Sequence, residues 1–255
     1  MKWYFINTGA HTGKYNMNFD LHLANNSKPG EAVLRLYRWE PYCISLGANQ
    51  DAASVNSGRA SEDNIDIVAR PTGGRAILHA EELTYSVILP LEDHSSARNI
   101  YNEINAALLK GLEIYNPGLS AAALENMQPD FASFYKQDVS AVCFAASAKS
   151  EIKFTGKKLV GSAQRKLKKS VLQHGSVLCG DFHTRIIHYL NTSDEGKERI
   201  TETMKEKTTD IRSILGTEVD YVKLEESLVS GFESYFNMKI EEIPSGSIKI
   251  PASED

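Results

Sequence analysis

Along this chain, runs whose apolar side chains alternate or cluster give way to stretches in which apolar residues recur three or four apart. The opening KWYFIN, residues 2–7, predicts a strand by its aromatic and branched content. In KYNMNFDLHLANN, residues 14–26, Tyr15, Phe19, Leu21 and Leu23 fall at helical spacing. AVLRLYRW and YCISLG return to strand character, the second ending at Gly47. NQDAASVN predicts a short helix capped by Asn49 or Asp51. Residues 69–90, ARPTGGRAILHAEELTYSVILP, read as strand, turn, strand and strand, with Leu83, Tyr85, Val87 and Leu89 alternating. The strongest helical signal follows: Ile100, Ile104, Leu108 and Leu112 stand four apart, and Pro117-Gly118 stop the run.

Residues 125–140, ENMQPDFASFYKQDVS, keep no period and predict a loop. SEIKFTGKKLVGSAQRKLKKSVLQHGSVLCG reads as strands and tight turns, and beyond Asp181 the chain turns helical, most clearly over residues 220–236. Strands before a long helix, strands again, then helices predict an α+β fold. The expectation is one catalytic-size domain over residues 1–255, its helices flanking mixed or antiparallel sheets, with no C-terminal accessory domain.

Composition narrows the function classes. Hydrophobic residues are 42% and charged residues 24%, ordinary for a soluble enzyme. No apolar run approaches the roughly 20 residues a membrane helix needs, and the N-terminus lacks a signal-peptide core. A cytoplasmic protein with no membrane partner is expected. Cys43, Cys143 and Cys179 are odd in number and widely spaced, which predicts free thiols and no metal site. A net charge of −5 argues against a nucleic-acid partner. The charge is uneven, however. Residues 149–169 carry eight Lys/Arg against the single acid Glu151, whereas from Asp181 onward 16 acids face nine Lys/Arg. Such a basic stretch is either a solvated hairpin or a surface that steers an acidic protein.

Several short motifs carry candidate chemistry. In RPTGG, Arg70 to Gly74, paired glycines allow close backbone approach to a carbonyl or phosphate oxygen, and Arg70 adds a charged donor. The alternative is a plain turn; neither a Walker A motif nor a dinucleotide fingerprint is present. His79 ends the RAIL run, and HAEEL is not the zinc pattern because position 83 is leucine. Cys143 precedes small residues and the basic stretch, whose charge would favour a thiolate. Cys43 and Cys179 sit in apolar runs and read as core. In GKKLVG, strand alternation sends Lys157 and Lys158 to opposite faces, one solvated and one turned inward. Gly161, Ser162 and Ala163 keep the neighbouring wall small. His174-Gly175, in LQHGS, again pairs a polar side chain with open backbone.

Taken in order and at these spacings, RPTGGRAILHAEELTYSV, GKKLVGSAQRK and LQHGSVL resemble the lipoate–biotin protein ligase superfamily, and within it the lipoate–protein ligase and octanoyltransferase group. The N-terminal FINTG and YNMNFDLHLA are similar too, so the resemblance runs from about residue 3 to residue 190. It implies a mixed sheet around a tunnel for an eight-carbon acyl chain. It implies that Lys158 is the chemical lysine and Lys157 the solvated one. Arg70, Gly73, Gly74, Arg75, Ala76, Ile77, Leu78 and His79 would line the substrate site, with Gly161, Ser162, Ala163, His174 and Gly175. Arg75 stands where many members carry a third glycine.

Two branches follow from the resemblance. VCFAASAKSEI is similar to the segment that carries the nucleophile of cysteine-dependent octanoyltransferases, although its proline and aromatic are missing here. In that branch no cofactor is needed. Cys143 would take octanoyl from acyl carrier protein as a thioester and pass it to a lysine of a lipoyl domain, on a glycine cleavage H protein or a 2-oxoacid dehydrogenase E2 subunit. In the other branch a lipoate–protein ligase uses ATP and Mg²⁺ to form an acyl-adenylate held by Lys158.

Overall fold

The computed structural model describes residues 1–91, 96–124 and 151–248. Its strands are β1 (Lys2–His11), β2 (Glu31–Trp39), β3 (Cys43–Leu46), β4 (Asp66–Ala69), β5 (Ile77–His79), β6 (Glu82–Pro90), β7 (Ala122–Leu124), β8 (Ile152–Phe154), β9 (Lys157–Lys166), β10 (Ser170–Leu178) and β11 (Ile240–Glu242). Its helices are α1 (Gly13–Asn25), α2 (Ser57–Glu62), α3 (Ala97–Tyr115), α4 (Asp194–Lys207), α5 (Ile211–Leu215) and α6 (Tyr221–Phe236). Eight strands form one mixed sheet in the order β11-β1-β2-β6-β10-β9-β8-β7. Strands β4, β3 and β5 form a second, small sheet. The fold is α+β, as the pattern of elements predicts.

The long helix starts where a hydroxyl can cap it: the Asn99 amide donates to Ser96 Oγ at 3.1 Å. Asn116 and Pro117 end it. One stripe of α3, carrying Ile104, Leu108 and Leu112, packs on the large sheet and on α6. Gly111 and Gly231 make the helix crossing close, since a Cβ at Gly231 would collide with the Gly111 backbone. Trp3 joins this core edge-on to Phe232, with ring centroids 5.7 Å apart. A second apolar core lies between the small sheet, the 3-10 helix Phe182–Tyr189 and α4, and holds Ile44, Leu78, Ile186, Ile200 and Met204.

One local expectation changes. NQDAASVN forms only a 3-10 turn, Ala52–Ser54, because Asp51 caps it and Val55 returns to extended backbone. The three-residue strands β7 and β11 were not signalled: each is too short for alternation to show, and pairing alone defines it. The loop expected at residues 125–140 lies outside the described residues.

Candidate active site

Strand β6 is buried along its whole length. Leu83, Tyr85, Val87 and Leu89 enter the main core, so Glu82, Thr84, Ser86 and Ile88 face the other way, toward α1 and the small sheet. Strand register extends that second face across the sheet. Tyr37 of β2 pairs with Thr84 of β6, Thr84 with Ser176 of β10, and Ser176 with Gly161 of β9. The next row runs Arg35, Ser86, His174 and Ala163. Small residues in the first row leave a narrow cavity, roofed by Met17 of α1, Ser45 of β3, Arg70 beyond β4, and Ile77 and His79 of β5.

Polar side chains line this cavity, yet their heads are committed to one another. Glu82 Oε1 lies 2.8 Å from His79 Nδ1 and accepts from Ser176 Oγ at 2.7 Å and Thr84 Oγ1 at 2.5 Å. His79 Nε2 lies 2.7 Å from the Ser45 hydroxyl, so both ring nitrogens are paired. Trp39 stacks on the His79 ring at 4.1 Å and donates its Nε1–H to Thr84. Burial alone would raise the Glu82 carboxyl, but the His79, Thr84 and Ser176 contacts outweigh it and hold the group below the usual carboxylate range.

A second histidine repeats the arrangement. His174 Nδ1 stands 3.5 Å from Asp20 Oδ2, and Nε2 accepts the Thr72 hydroxyl at 2.6 Å. Burial pushes His174 below its ordinary range despite Asp20, so the ring is neutral. Asp20 would be raised by burial, but Arg35, His174 and Ser86 keep it low. The fully buried Arg35 pairs with Asp20 at 2.7 Å, donates to Thr8 and Asn16, and lies 3.8 Å from the Tyr37 ring centroid. With these heads paired, apart from the buried Glu82 Oε2, the cavity presents mainly carbon to whatever enters it.

The glycine turn is braced from within. Arg70 donates to the carbonyls of Ser45 at 2.8 Å, Gly73 at 3.0 Å and Arg75 at 2.6 Å. Its guanidinium therefore shapes the turn between β4 and β5. Gly74 has φ +98°, open to glycine at little cost, and its carbonyl presses so close to Gly47 that a Cβ there would collide.

Lys158 is 1% exposed and ion-paired to Glu151 at 3.1 Å. A bulge lies beside it. Ile152 pairs with Val160 and Lys153 with Lys158, so Leu159 is an extra residue on β9. Leu159 and Val160 both enter the main core, and Lys158 is buried beside Glu151 at the start of the strand that carries Gly161 and Ala163. Lys157 is exposed and donates to the Lys205 carbonyl at 2.9 Å. The opposed pair of lysines expected from the sequence is present.

Of the predicted residues, the cavity brings together Arg70, Ile77, His79, Gly161, Ser162, Ala163, His174 and Gly175. Gly73 and Gly74 lie exposed in the adjoining turn and Arg75 is half-buried. Ala76 and Leu78 turn into the second core instead, because β5 alternates and Ile77 and His79 take the cavity side. Cys143 lies outside the described residues. Cys43 and Cys179 are buried free thiols, both raised by burial, and are packing residues as expected. Sequence reasoning missed Met17, Tyr37, Trp39, Ser45, Thr84 and Ser176 in the lining, and Asp20, Arg35, Glu82 and Glu151 behind it. The available signal was charge inside apolar runs: Asp20 in the first helix, Arg35 in the second strand.

Residues 12–233 match the lipoyl protein ligase A/B catalytic domain. The chain belongs to that family. Among its relatives, Octanoyltransferase LipM of Staphylococcus aureus is 34% identical over 246 residues, covering 93% of this chain and 88% of the relative. Octanoyltransferase LipM of Bacillus subtilis is 32% identical over 248 residues, covering 94% and 88%. Among solved structures, lipoate-protein ligase A bound with ATP aligns with a TM-score of 0.76 at 18% identity, over 96% of this chain and 89% of that one. The bi-partite lipoate protein ligase of Thermoplasma acidophilum aligns with a TM-score of 0.75 at 17% identity, over 96% and 87%. These structures share the fold. Among the described residues no helix is long and apolar enough to cross a membrane, and no three His, Cys, Asp or Glu side chains are grouped to hold a metal ion.

Proposed function

We propose that this chain is an octanoyltransferase of protein lipoylation that works through a thioester on Cys143, with Lys158 as the activating cation. The whole chain would act as one catalytic unit. The observation that carries the reading is the buried Lys158–Glu151 pair, on the same strand as Gly161, Ser162 and Ala163 of the apolar cavity, in a chain with octanoyltransferases among its relatives.

The chemistry needs little else. An ordinary cysteine with a pKa near ~8.5 is only a few per cent thiolate at neutral pH. An ammonium within about 4–6 Å favours the thiolate. The Cys143 thiolate adds to the carbonyl carbon of octanoyl–acyl carrier protein, and the carbon–sulfur bond to the carrier breaks, releasing the carrier as a thiolate. A neutral lysine amine of the lipoyl domain then adds to the Cys143 thioester. The amide bond forms, the carbon–sulfur bond to Cys143 breaks, and the amine gives up a proton. One thioester replaces another in the first step, so the route uses neither ATP nor a cofactor. Lys158 also faces the oxyanion that develops in both steps. Glu151 gives the buried lysine an ion-pair partner.

The octanoyl chain would lie in the cavity, its carbonyl at the β9 end. The lipoyl domain of a glycine cleavage H protein or a 2-oxoacid dehydrogenase E2 subunit is the acceptor in this reading. The exposed Arg165, Lys166, Lys168 and Lys169, at the end of the β9–β10 hairpin, suit acidic partners.

The test is transfer to a lipoyl domain with octanoyl–acyl carrier protein as donor and no ATP. Lys158→Met paired with Glu151→Gln removes the charges without stranding either one, and the expected loss is about 10²–10³-fold in rate. Transfer that instead requires octanoate, ATP and Mg²⁺, and ignores Cys143→Ala, would make the chain a ligase.

A further inference from the structure

The cavity has a direction. Its floor crosses four strands from Gly161 on β9 to Tyr37 on β2. Three strand spacings make that about 14 Å. The β9 end lies on the strand that carries Lys158, three residues before Gly161. At the β2 end Met17, Tyr37 and Trp39 meet in one buried cluster with Cys43 behind them. The first end is where chemistry is assigned, so the second closes the cavity.

The three closing side chains are not equivalent. Tyr37 is tied through its hydroxyl to Asp20 at 3.2 Å, and Trp39 through its indole to Thr84 at 2.7 Å. Met17 is 3% exposed and contributes only packing. It is unbranched and fills irregular space. Removing its side chain would open this end of the cavity toward Cys43 and Val68, the neighbours that already crowd Gly13 one helical turn earlier.

We propose that Met17 is the stop against which the methyl end of the acyl chain rests, and so sets the chain length this protein accepts. This rests on the transferase reading above. A side chain that ends an apolar slot discriminates by steric exclusion, and one methylene too many in such a slot costs about 10-fold or more. Met17→Ala should therefore move the preferred donor toward decanoyl and dodecanoyl. Met17→Phe should move it toward hexanoyl.

The experiment measures two things on the full chain. Acyl carrier proteins bearing six-, eight-, ten- and twelve-carbon chains compete as donors, with the modified lipoyl domain weighed. Separately, the free acids of the same lengths are titrated by calorimetry, which needs no turnover. The expected result is a change of about 10-fold or more in the ten-to-eight ratio for Met17→Ala, and an opposite change for Met17→Phe, by both measurements. If Met17→Ala does not fold, Met17→Phe alone decides the direction. Unchanged length preference in variants that still transfer octanoyl overturns the proposal and leaves the transferase reading standing. Absence of transfer with a shifted binding preference overturns that reading and upholds the stop. No binding of any acid, or binding with unshifted preference, overturns the stop in either case.

Discussion

At the residue scale, the site depends on a few buried charges held in place by partners. Arg35 with Asp20, and Lys158 with Glu151, are pairs from which one member cannot be cut cheaply. Arg35→Met strands the Asp20 carboxylate and should cost about 3–5 kcal/mol, read by urea unfolding. His174 gives a sharper expectation. Its pKa is depressed in the fold, so near pH 8 neither folded nor unfolded chain carries the proton. As pH falls below about 6.5 the unfolded chain takes it up and the folded chain does not, and stability drops. Asp20 and Glu82, also depressed, add a further loss at more acid pH. Unfolding free energy should fall from pH 7 to pH 5, and His174→Gln should flatten that segment. An equal slope in the variant would remove His174 as its source. Little of this was legible beforehand. GKK placed one lysine inward, but the bulge at Leu159 is a property of pairing with β8, which lies outside the motif itself.

At the element scale, the sequence showed β6 as an alternating strand and α3 as an amphipathic helix, and both are present. It could not show that the polar face of β6 is buried as well. Thr84 and Ser86 look solvated until β3, β5 and α1 cover them, and that cover comes from segments distant in sequence. Glycines mark where elements touch. Gly231→Ala would push α6 off α3 at the Gly111 backbone, an overpacking worth about 1–3 kcal/mol. The check is the midpoint of urea unfolding, with the exposed-face change Ser234→Ala as control. Gly47→Ala acts elsewhere, since it meets the Gly74 carbonyl and should disturb the braced turn beside the cavity. It should slow transfer more than it lowers stability, measured as rate against unfolding midpoint.

At the scale of the whole molecule, two sheets close on one another over a slot of carbon. A chain of fatty carbon there joins both halves. Octanoate at 100 times its Kd should add about 2.7 kcal/mol, which for a protein of this size is roughly 5–10 °C in Tm. The basic hairpin end predicts that transfer from acyl carrier protein weakens with salt, and that Lys168→Glu with Lys169→Glu raises KM for the carrier while sparing kcat. The charge imbalance that suggests this was visible in the sequence, as were the family motifs and the α+β class. The slot was implied only by the family resemblance and not by periodicity, because its walls come from α1, β2, β3, β5, β6, β9 and β10 and only folding assembles them.

The most direct measurement of the central claim is the intact mass of the purified chain after incubation with octanoyl–acyl carrier protein, without ATP. One octanoyl adduct is expected, removed by hydroxylamine and missing in Cys143→Ala. No adduct on the wild-type chain, together with ATP-dependent modification of a lipoyl domain by octanoate, would contradict it.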